Sequence, residues 1–66
     1  MIAFTHREKQ IGRMISVGSS RKQIAGELGI SPKTADIHLR NIRSKTGMET
    51  TFRAGLFLLQ NRHLLV

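Results

Sequence analysis

The chain has 66 residues, so it is expected to form one domain with a small core. Eleven Lys and Arg residues against four Asp and Glu residues give a net charge of +7, and the sequence pI is about 11.6. This balance favours a polyanionic partner, although charge alone does not separate nucleic acid from an anionic membrane or an acidic protein. Cysteine is absent, which excludes disulfides and thiol chemistry within the sequence, and no apolar run approaches the roughly 20 residues that span a bilayer. We therefore expect a cytoplasmic protein that makes no membrane contact.

Start and stop signals predict four helices and no strand. Thr5 with Glu8, and Ser20 with Gln23, have the spacing of a capping box, and Pro32 stands at a favoured first helical position. A glycine follows each of the first three apolar-periodic runs, where a helix commonly ends. The helices are predicted at about residues 5–17, 20–28, 32–46 and 51–62. The fold class is therefore predicted as all-α, a four-helix helix-turn-helix domain.

The third predicted helix lies in the segment "ISPKTADIHLRNIRSKTG", residues 30–47. Ala35, Leu39 and Ile42 recur at i, i+4 and i+7, so this side is expected to face the core. The tight turn "GIS" joins this helix to the preceding one and predicts a helix-turn-helix, whose second helix can enter a DNA major groove. The residues expected to face outward are Lys33, Asp36, Ile37, Arg40 and Ser44. Their side chains suit phosphates and base edges.

The sequence resembles the LuxR/GerE-type helix-turn-helix domain of bacterial transcription regulators. The matching segments are "THREKQI", "GSSRKQIAGELGISPKTADIHLRNIRSKTG" and Ala54 in the fourth helix. The resemblance covers residues 4–65, which we take as the extent of the domain. It implies a four-helix domain in which the third helix lies in the major groove of double-stranded DNA and the fourth commonly forms a homodimer contact.

The resemblance also implies a set of DNA-binding residues. Those implied to contact phosphates are Lys33, Thr34 and Lys45. Those implied to face the bases are Asp36, Ile37 and Arg40, and Asn41 lies beside them in the matched motif. Those implied to contact the DNA backbone from the second helix are Arg21 and Lys22. The first turns of the second and third helices also favour anions, which agrees with phosphate contact there.

The chemistry of three residues leaves alternatives open. Arg40 suits guanine O6 and N7, but Asp36 lies four residues earlier, and the two could simply form an exposed ion pair. Ile37 could contact a thymine methyl or be an isolated apolar residue at the surface. Asp36 could accept from cytosine N4 or act mainly by rejecting wrong sequences.

Four positions depart from the family pattern. Gly12, Thr46 and Gly55 stand where the family usually has larger apolar residues, and Thr51 stands where it usually has Arg. A glycine inside a helix costs up to about 1 kcal/mol relative to Ala, so we expect a domain less stable than its relatives. Thr51 is given no functional role.

Neither a metal site nor a catalytic site is predicted. The spacing of the three histidines does not fit a metal site, and His38 is expected to be a packed, hydrogen-bonded core residue. The acidic residues are scattered, and no activated nucleophile or glycine-rich phosphate loop occurs in the sequence. We expect no cofactor and no enzymatic activity.

The fourth predicted helix is apolar on two sides. A helical wheel places Ala54 on the core side together with Phe57, Leu58 and Leu65. The opposite side carries the proposed dimer contact, namely Phe52, Leu56, Leu59 and His63. An exposed apolar side is typical of a contact between two copies across a two-fold axis. The alternatives are packing against an absent N-terminal domain and a scattered exposure.

The sequence therefore predicts a sequence-specific double-stranded DNA-binding domain of a bacterial transcription regulator, acting as a dimer. Further partners could be RNA polymerase or an N-terminal sensor domain. An alternative is a protein-interaction module that keeps the fold and sequesters another regulator through the fourth helix. The cations retained on the third helix argue against that alternative. A third hypothesis is a promoter-binding domain of a sigma factor, but the segment "KTADIHLRNI" fits such a domain less well.

Overall fold

A computed structural model describes residues 2–66, which form four α-helices and a final 3₁₀ turn. The elements are α1 (His6–Ser16), α2 (Arg21–Leu28), α3 (Pro32–Thr46), α4 (Thr51–Gln60) and the 3₁₀ turn (Arg62–Leu65). No strand occurs among residues 2–66, so the predicted all-α, four-helix fold is confirmed. None of these helices is long and apolar enough to cross a membrane.

Side-chain caps begin the first two helices as the sequence predicts. At α1, the hydroxyl oxygen of Thr5 accepts from the Glu8 amide at 3.1 Å, and Glu8 Oε1 accepts from the Thr5 amide at 2.9 Å. Ser20 and Gln23 form the same reciprocal pair at the start of α2. These bonds satisfy backbone amides that have no partner within the helix.

The turn of the helix-turn-helix depends on one left-handed glycine. Gly29 has φ 65° and ψ 33°, a conformation that costs glycine little and other residues more. The Ile30 amide then donates to the Ala25 carbonyl at 3.0 Å, and the Ile30 side chain packs against the core. Ser31 accepts from the Thr34 amide at 3.0 Å and begins α3 directly afterwards. The two helices are thereby joined by a short, fixed turn.

A single hydrophobic core joins all four helices. Ile11, Ile24, Ile42 and Leu58 are its largest completely buried side chains, one from each helix. Ala35, Leu39 and Ile42 of α3 are buried as the helical periodicity predicts, and so are Ala54 and Leu58 of α4. The buried stripe of α3 fixes that helix to the domain and leaves its other side at the surface.

Two glycines allow α4 and the 3₁₀ turn to pack closely against α1. A Cβ atom on Gly55 would lie 2.6 Å from the Ile15 carbonyl oxygen, and one on Gly12 would lie 2.7 Å from Leu65 Cδ2. The expected stability cost relative to alanine therefore does not apply to Gly55, because alanine would collide with backbone there. Thr46, the third departure from the family pattern, is buried, and its hydroxyl donates to the Ile42 carbonyl at 2.9 Å.

The fourth helix ends two residues earlier than predicted. The Asn61 side-chain amide donates to the Phe57 carbonyl at 2.8 Å, and Asn61 itself leaves helical geometry with φ −129° and ψ 49°. His63 therefore lies in the 3₁₀ turn, so its predicted place on the same helical face as Leu59 was wrong. The turn returns the chain towards α1, where Lys9 Nζ donates to the Val66 carbonyl at 3.0 Å.

Candidate nucleic-acid interface

The outward side of α3 carries a continuous stripe of exposed side chains. Its members lie on one side of the helix, opposite the buried stripe, and comprise Lys33, Ile37, Arg40, Asn41 and Ser44. Thr34 and Asp36 flank the stripe and are half-buried. The stripe combines two cations, two neutral polar groups and one branched apolar group, which can contact phosphates, base edges and a thymine methyl, respectively.

Cations also stand at the start of α2, next to α3 in the fold. Arg21 and Lys22 occupy its first two positions and are exposed, and Lys33 occupies the second position of α3. Lys22, Lys33 and Arg40 make no ion pair within residues 2–66. Five of the sequence-predicted cations therefore lie on α2 and α3, and three of them, Lys22, Lys33 and Arg40, make no ion pair within the described residues.

Asp36 pairs with Arg21 and not with Arg40. Arg21 Nη1 donates to Asp36 Oδ2 at 2.9 Å, which links the first turn of α2 to the second turn of α3. The local ion pair with Arg40 that the four-residue spacing allows does not form. This tertiary pair was missed by the sequence prediction, because nothing in the local spacing indicates a partner 15 positions away.

Lys45 is engaged within the domain. Its Nζ atom donates to Glu8 Oε1 at 2.5 Å and to the Ala3 carbonyl at 2.9 Å, and it lies 6.0 Å from the centre of the Phe4 ring. Lys45 thus differs from the cations of the stripe, because its charge is already paired within the domain. Its contact with a phosphate stays a prediction. The structure assigns it a second role, which is to fasten α3 to the start of α1.

The Glu8 carboxylate is buried and held in its charged form. Burial favours the neutral acid and would raise its pKa, but hydrogen bonds from Lys45 and the Thr5 amide, with the Lys45 charge, outweigh that effect. The pKa of Glu8 is therefore lowered from its ordinary value. Glu8 caps α1 and holds Lys45 at once, a second function that the capping motif alone does not reveal.

Two further side chains of α3, Arg43 and His38, lie at half-buried positions away from the exposed stripe. Arg43 is half-buried, and its Nη1 donates to Thr51 Oγ1 at 3.1 Å, which links α3 to the first residue of α4. His38 is half-buried and makes no hydrogen bond within residues 2–66, so the expected hydrogen-bonded core histidine was wrong. No group of three His, Cys, Asp or Glu side chains in this part of the chain could hold a metal ion.

The side of α4 away from the core presents an apolar patch. Phe52, Leu56 and Leu59 are 75%, 45% and 44% exposed, and their i, i+4 and i+7 spacing places them on one face. His63 is also exposed but belongs to the 3₁₀ turn. The predicted exposure of all four residues is confirmed, and their contact with a second copy stays a prediction.

The fold and the exposed stripe of α3 define a class of protein, namely a helix-turn-helix domain whose second helix, α3, carries exposed cations. The profile of the family described as "Bacterial regulatory proteins, luxR family" matches residues 3–57. The chain therefore belongs to the LuxR family of bacterial regulatory proteins.

Several curated proteins are similar to the chain. The transcriptional regulatory protein UhpA of Escherichia coli is 43% identical over 44 residues, which are 67% of this chain and 22% of UhpA. The transcriptional regulatory protein MctR of Rhizobium johnstonii is 42% identical over 62 residues, 94% of this chain and 28% of MctR. A nitrate/nitrite response regulator protein homolog of Haemophilus influenzae is 41% identical over 61 residues, 91% of this chain and 29% of that protein. The chain thus spans less than a third of the length of these relatives. No solved structure matches it significantly.

Proposed function

We propose that this domain binds double-stranded DNA in a sequence-specific way and serves bacterial transcription regulation, with α3 in the major groove. The observation that carries the proposal is the exposed stripe of α3 beside the cations that begin α2. Membership of the LuxR family and the names of the relatives support it. The domain acts by binding rather than by catalysis, and it works in the cytoplasm, where the bacterial nucleoid lies.

The contacts divide into two kinds. Arg21, Lys22, Lys33 and Thr34 lie at the starts of α2 and α3, where their cations, hydroxyl group and nearby backbone amides suit phosphates. Further along α3, the exposed Ile37, Arg40 and Asn41 are placed to reach base edges, and Lys45 near its end contacts a phosphate if it leaves Glu8. The first group fixes the position of the domain and the second provides its specificity.

Selection of bound duplexes from a random pool tests this proposal, followed by measurement of affinity at several salt concentrations. We expect one recovered motif and an affinity that falls steeply with salt. In a plot of log K against the logarithm of the salt concentration, each phosphate neutralised should contribute about −0.9 to the slope. A folded wild-type domain that retains no duplex at low salt would overturn the proposal. Retention without a recovered motif would leave only non-specific binding.

Arg40→Ala and Lys33→Ala separate the two kinds of contact. Arg40→Ala should remove the preference at one base position, costing roughly 1–3 kcal/mol there. Lys33→Ala should weaken binding to all sequences alike and make the salt slope shallower by about one unit. Lys33 is the suitable phosphate-contacting comparison because it makes no ion pair within residues 2–66, whereas Lys45 is paired with Glu8 and its substitution would also affect folding. Equal, sequence-independent losses would mean that Arg40 contacts only phosphate.

The apolar patch of Phe52, Leu56 and Leu59 supports a homodimer, with His63 at its edge. Two copies joined across a two-fold axis would present two recognition helices about one turn of DNA apart, roughly 34–36 Å. The domain measures 29 Å along its longest axis, which is compatible with that separation. RNA polymerase and a sensor domain are further proposed partners, since the relatives are much longer regulators.

Leu59→Lys tests the dimer by placing a charge in the patch. We expect a folded monomer by sedimentation and circular dichroism, with weaker binding to a full two-fold site and nearly unchanged binding to a half-site. Gln60→Lys adds the same charge at the neighbouring exposed position and should keep the dimer. Loss of the fold in Leu59→Lys would mean that this side of α4 is needed for folding, and a wild-type mass with wild-type affinity for the full site would place the dimer contact elsewhere.

A further inference from the structure

The ion pair between Arg21 and Asp36 connects the two helices that face the DNA. Arg21 is the first residue of α2, and Asp36 lies in the second turn of α3. Their side chains are 57% and 44% exposed, so the pair lies at the surface. Arg40 stands four residues after Asp36, a spacing that allows an ion pair within the helix. Asp36 instead accepts from α2, at 2.9 Å.

This contact changes both the hydrogen-bonding capacity and the effective charge that the Asp36 carboxylate presents to DNA. A carboxylate that reads cytosine accepts a hydrogen bond from N4 in the groove. Here Oδ2 already accepts from a guanidinium, and the positive charge of Arg21 offsets the negative charge that would otherwise repel phosphates. The pair uses one of the two carboxylate oxygens of Asp36 and holds the carboxylate towards α2, which makes Asp36 less suited to base reading and tolerable beside the DNA backbone.

The same contact leaves most of the Arg21 guanidinium available. Arginine has five N–H donors in a rigid, planar fork, and the contact with Asp36 uses Nη1. Nε and Nη2 make no hydrogen bond within residues 2–66 and can donate to a phosphate while Nη1 stays on Asp36. An exposed arginine ordinarily loses side-chain entropy when it binds, and a partner that restricts it beforehand reduces that loss.

We propose that Asp36 is a positioning residue, which holds Arg21 towards a DNA phosphate and does not itself read a base. The proposal rests on the proposed DNA binding and deepens it by removing Asp36 from the base-facing set. Lys22 provides the comparison, since it is exposed at the next position of α2 and makes no ion pair within residues 2–66. Asp36 therefore acts with Arg21 and is independent of Lys22.

The test measures how Asp36→Ala changes DNA affinity in three backgrounds: wild type, Arg21→Ala and Lys22→Ala. In the Arg21→Ala background, Asp36→Ala removes only a negative charge near phosphates, so affinity should rise. With Arg21 present, the same substitution also releases the guanidinium, and the change in affinity should be less favourable by about twofold to fivefold, the range expected for one exposed ion pair. The Lys22→Ala background should give the wild-type response. The duplexes are the selected site and variants with one base pair changed.

Base preference distinguishes a residue that positions Arg21 from a residue that reads a base. Asp36→Ala should change affinity for all duplexes by the same factor, and Asp36→Asn, which keeps an acceptor oxygen for Arg21, should give a smaller coupling to Arg21. Unfolding midpoints in urea should stay close to that of wild type, because exposed ion pairs contribute little to stability.

Two results would overturn the proposal while leaving the proposed DNA binding intact. One is an effect of Asp36→Ala that is the same in all three backgrounds, which would show no coupling to Arg21. The other is a loss of preference at a single base pair, which would mean that Asp36 reads a base. If the wild-type domain binds no duplex, the proposed DNA binding fails and this proposal fails with it. A domain that binds without coupling refutes only the role of Asp36.

Discussion

Glycine has different surroundings in two regions of the domain, the crossing of α1 with α4 and the surface of the helix-turn-helix. At the crossing, a Cβ on Gly55 would lie 2.6 Å from the Ile15 carbonyl oxygen, so the two backbones almost touch. In α2, Gly26 is exposed, and a Cβ there would have no heavy atom within 4 Å. The same residue type is thus required by packing in one region and unconstrained by it in the other.

This difference separates the part of the domain that determines folding from the face that we propose to bind DNA. The α1–α4 region is held by close packing and, at the start of α1, by the buried Glu8 carboxylate. The face formed by α2 and α3 carries exposed polar side chains and an exposed ion pair. Substitutions in the first region should therefore change stability, and those on the second should mainly change DNA affinity.

Gly55→Ala should have the largest effect on folding. The added methyl group meets backbone atoms of Ile15, which cannot rotate away, so α1 and α4 must move apart. We expect a loss of roughly 2–3 kcal/mol in the free energy of unfolding, measured by urea denaturation.

Gly12→Ala is the matched control for Gly55→Ala. Its new methyl group would meet only the ends of the Leu65 and Leu58 side chains, which can shift more easily than backbone atoms, so the loss should be smaller, about 1 kcal/mol. An equal loss at both positions would show that helix–helix distance, rather than contact with backbone, sets the cost.

The helices were predictable because their ends are encoded locally. The capping boxes at Thr5 and Ser20 form as predicted, and Gly29 adopts the left-handed conformation that ends α2. The end of α4 was not predictable in the same way, since no glycine follows it and Asn61 caps it through its own side chain. A wheel extended past that point therefore misplaced His63.

The exposure of the proposed interface residues was predictable from the sequence, and their pairings were not. Helical periodicity separates the buried Leu39 from the exposed Arg40, which needs no tertiary information. The partners of Asp36 and Lys45 lie 15 and 37 positions away, so they depend on how the helices pack. Local spacing offers Asp36 only Arg40, and an exposed pair within a helix is too weak to decide the outcome.

Glu8→Gln should have an intermediate effect on stability, and the effect should depend on pH. Because the folded-state pKa of Glu8 is lowered below its ordinary value of 4.5, the ionised carboxylate stabilises the fold above that pH. This contribution disappears as the pH falls through the lowered pKa. We expect Glu8→Gln to lose about 1–2 kcal/mol at neutral pH and to converge with wild type in acid, as measured by urea denaturation from pH 7 to pH 3.

Glu49→Gln controls for the general effect of removing one negative charge. Glu49 is exposed and makes no ion pair within residues 2–66, so its substitution should leave the neutral-pH stability nearly unchanged. A Glu8→Gln variant whose pH profile runs parallel to that of wild type would show that the pair with Lys45 does not stabilise the charged carboxylate.

Gly26→Ala should have the smallest effect and the opposite sign. Gly26 lies inside α2 without a left-handed φ, and the space around its Cα is open, so alanine fits without strain. Alanine also restricts the unfolded chain, and we expect a gain of about 0.5–1 kcal/mol together with a higher melting temperature. Because Gly26→Ala and Gly55→Ala introduce the same methyl group, opposite signs would attribute the difference to packing. A loss at Gly26 would instead mean that α2 needs flexibility at this position, and the face formed by α2 and α3 would then be constrained by more than its exposed side chains.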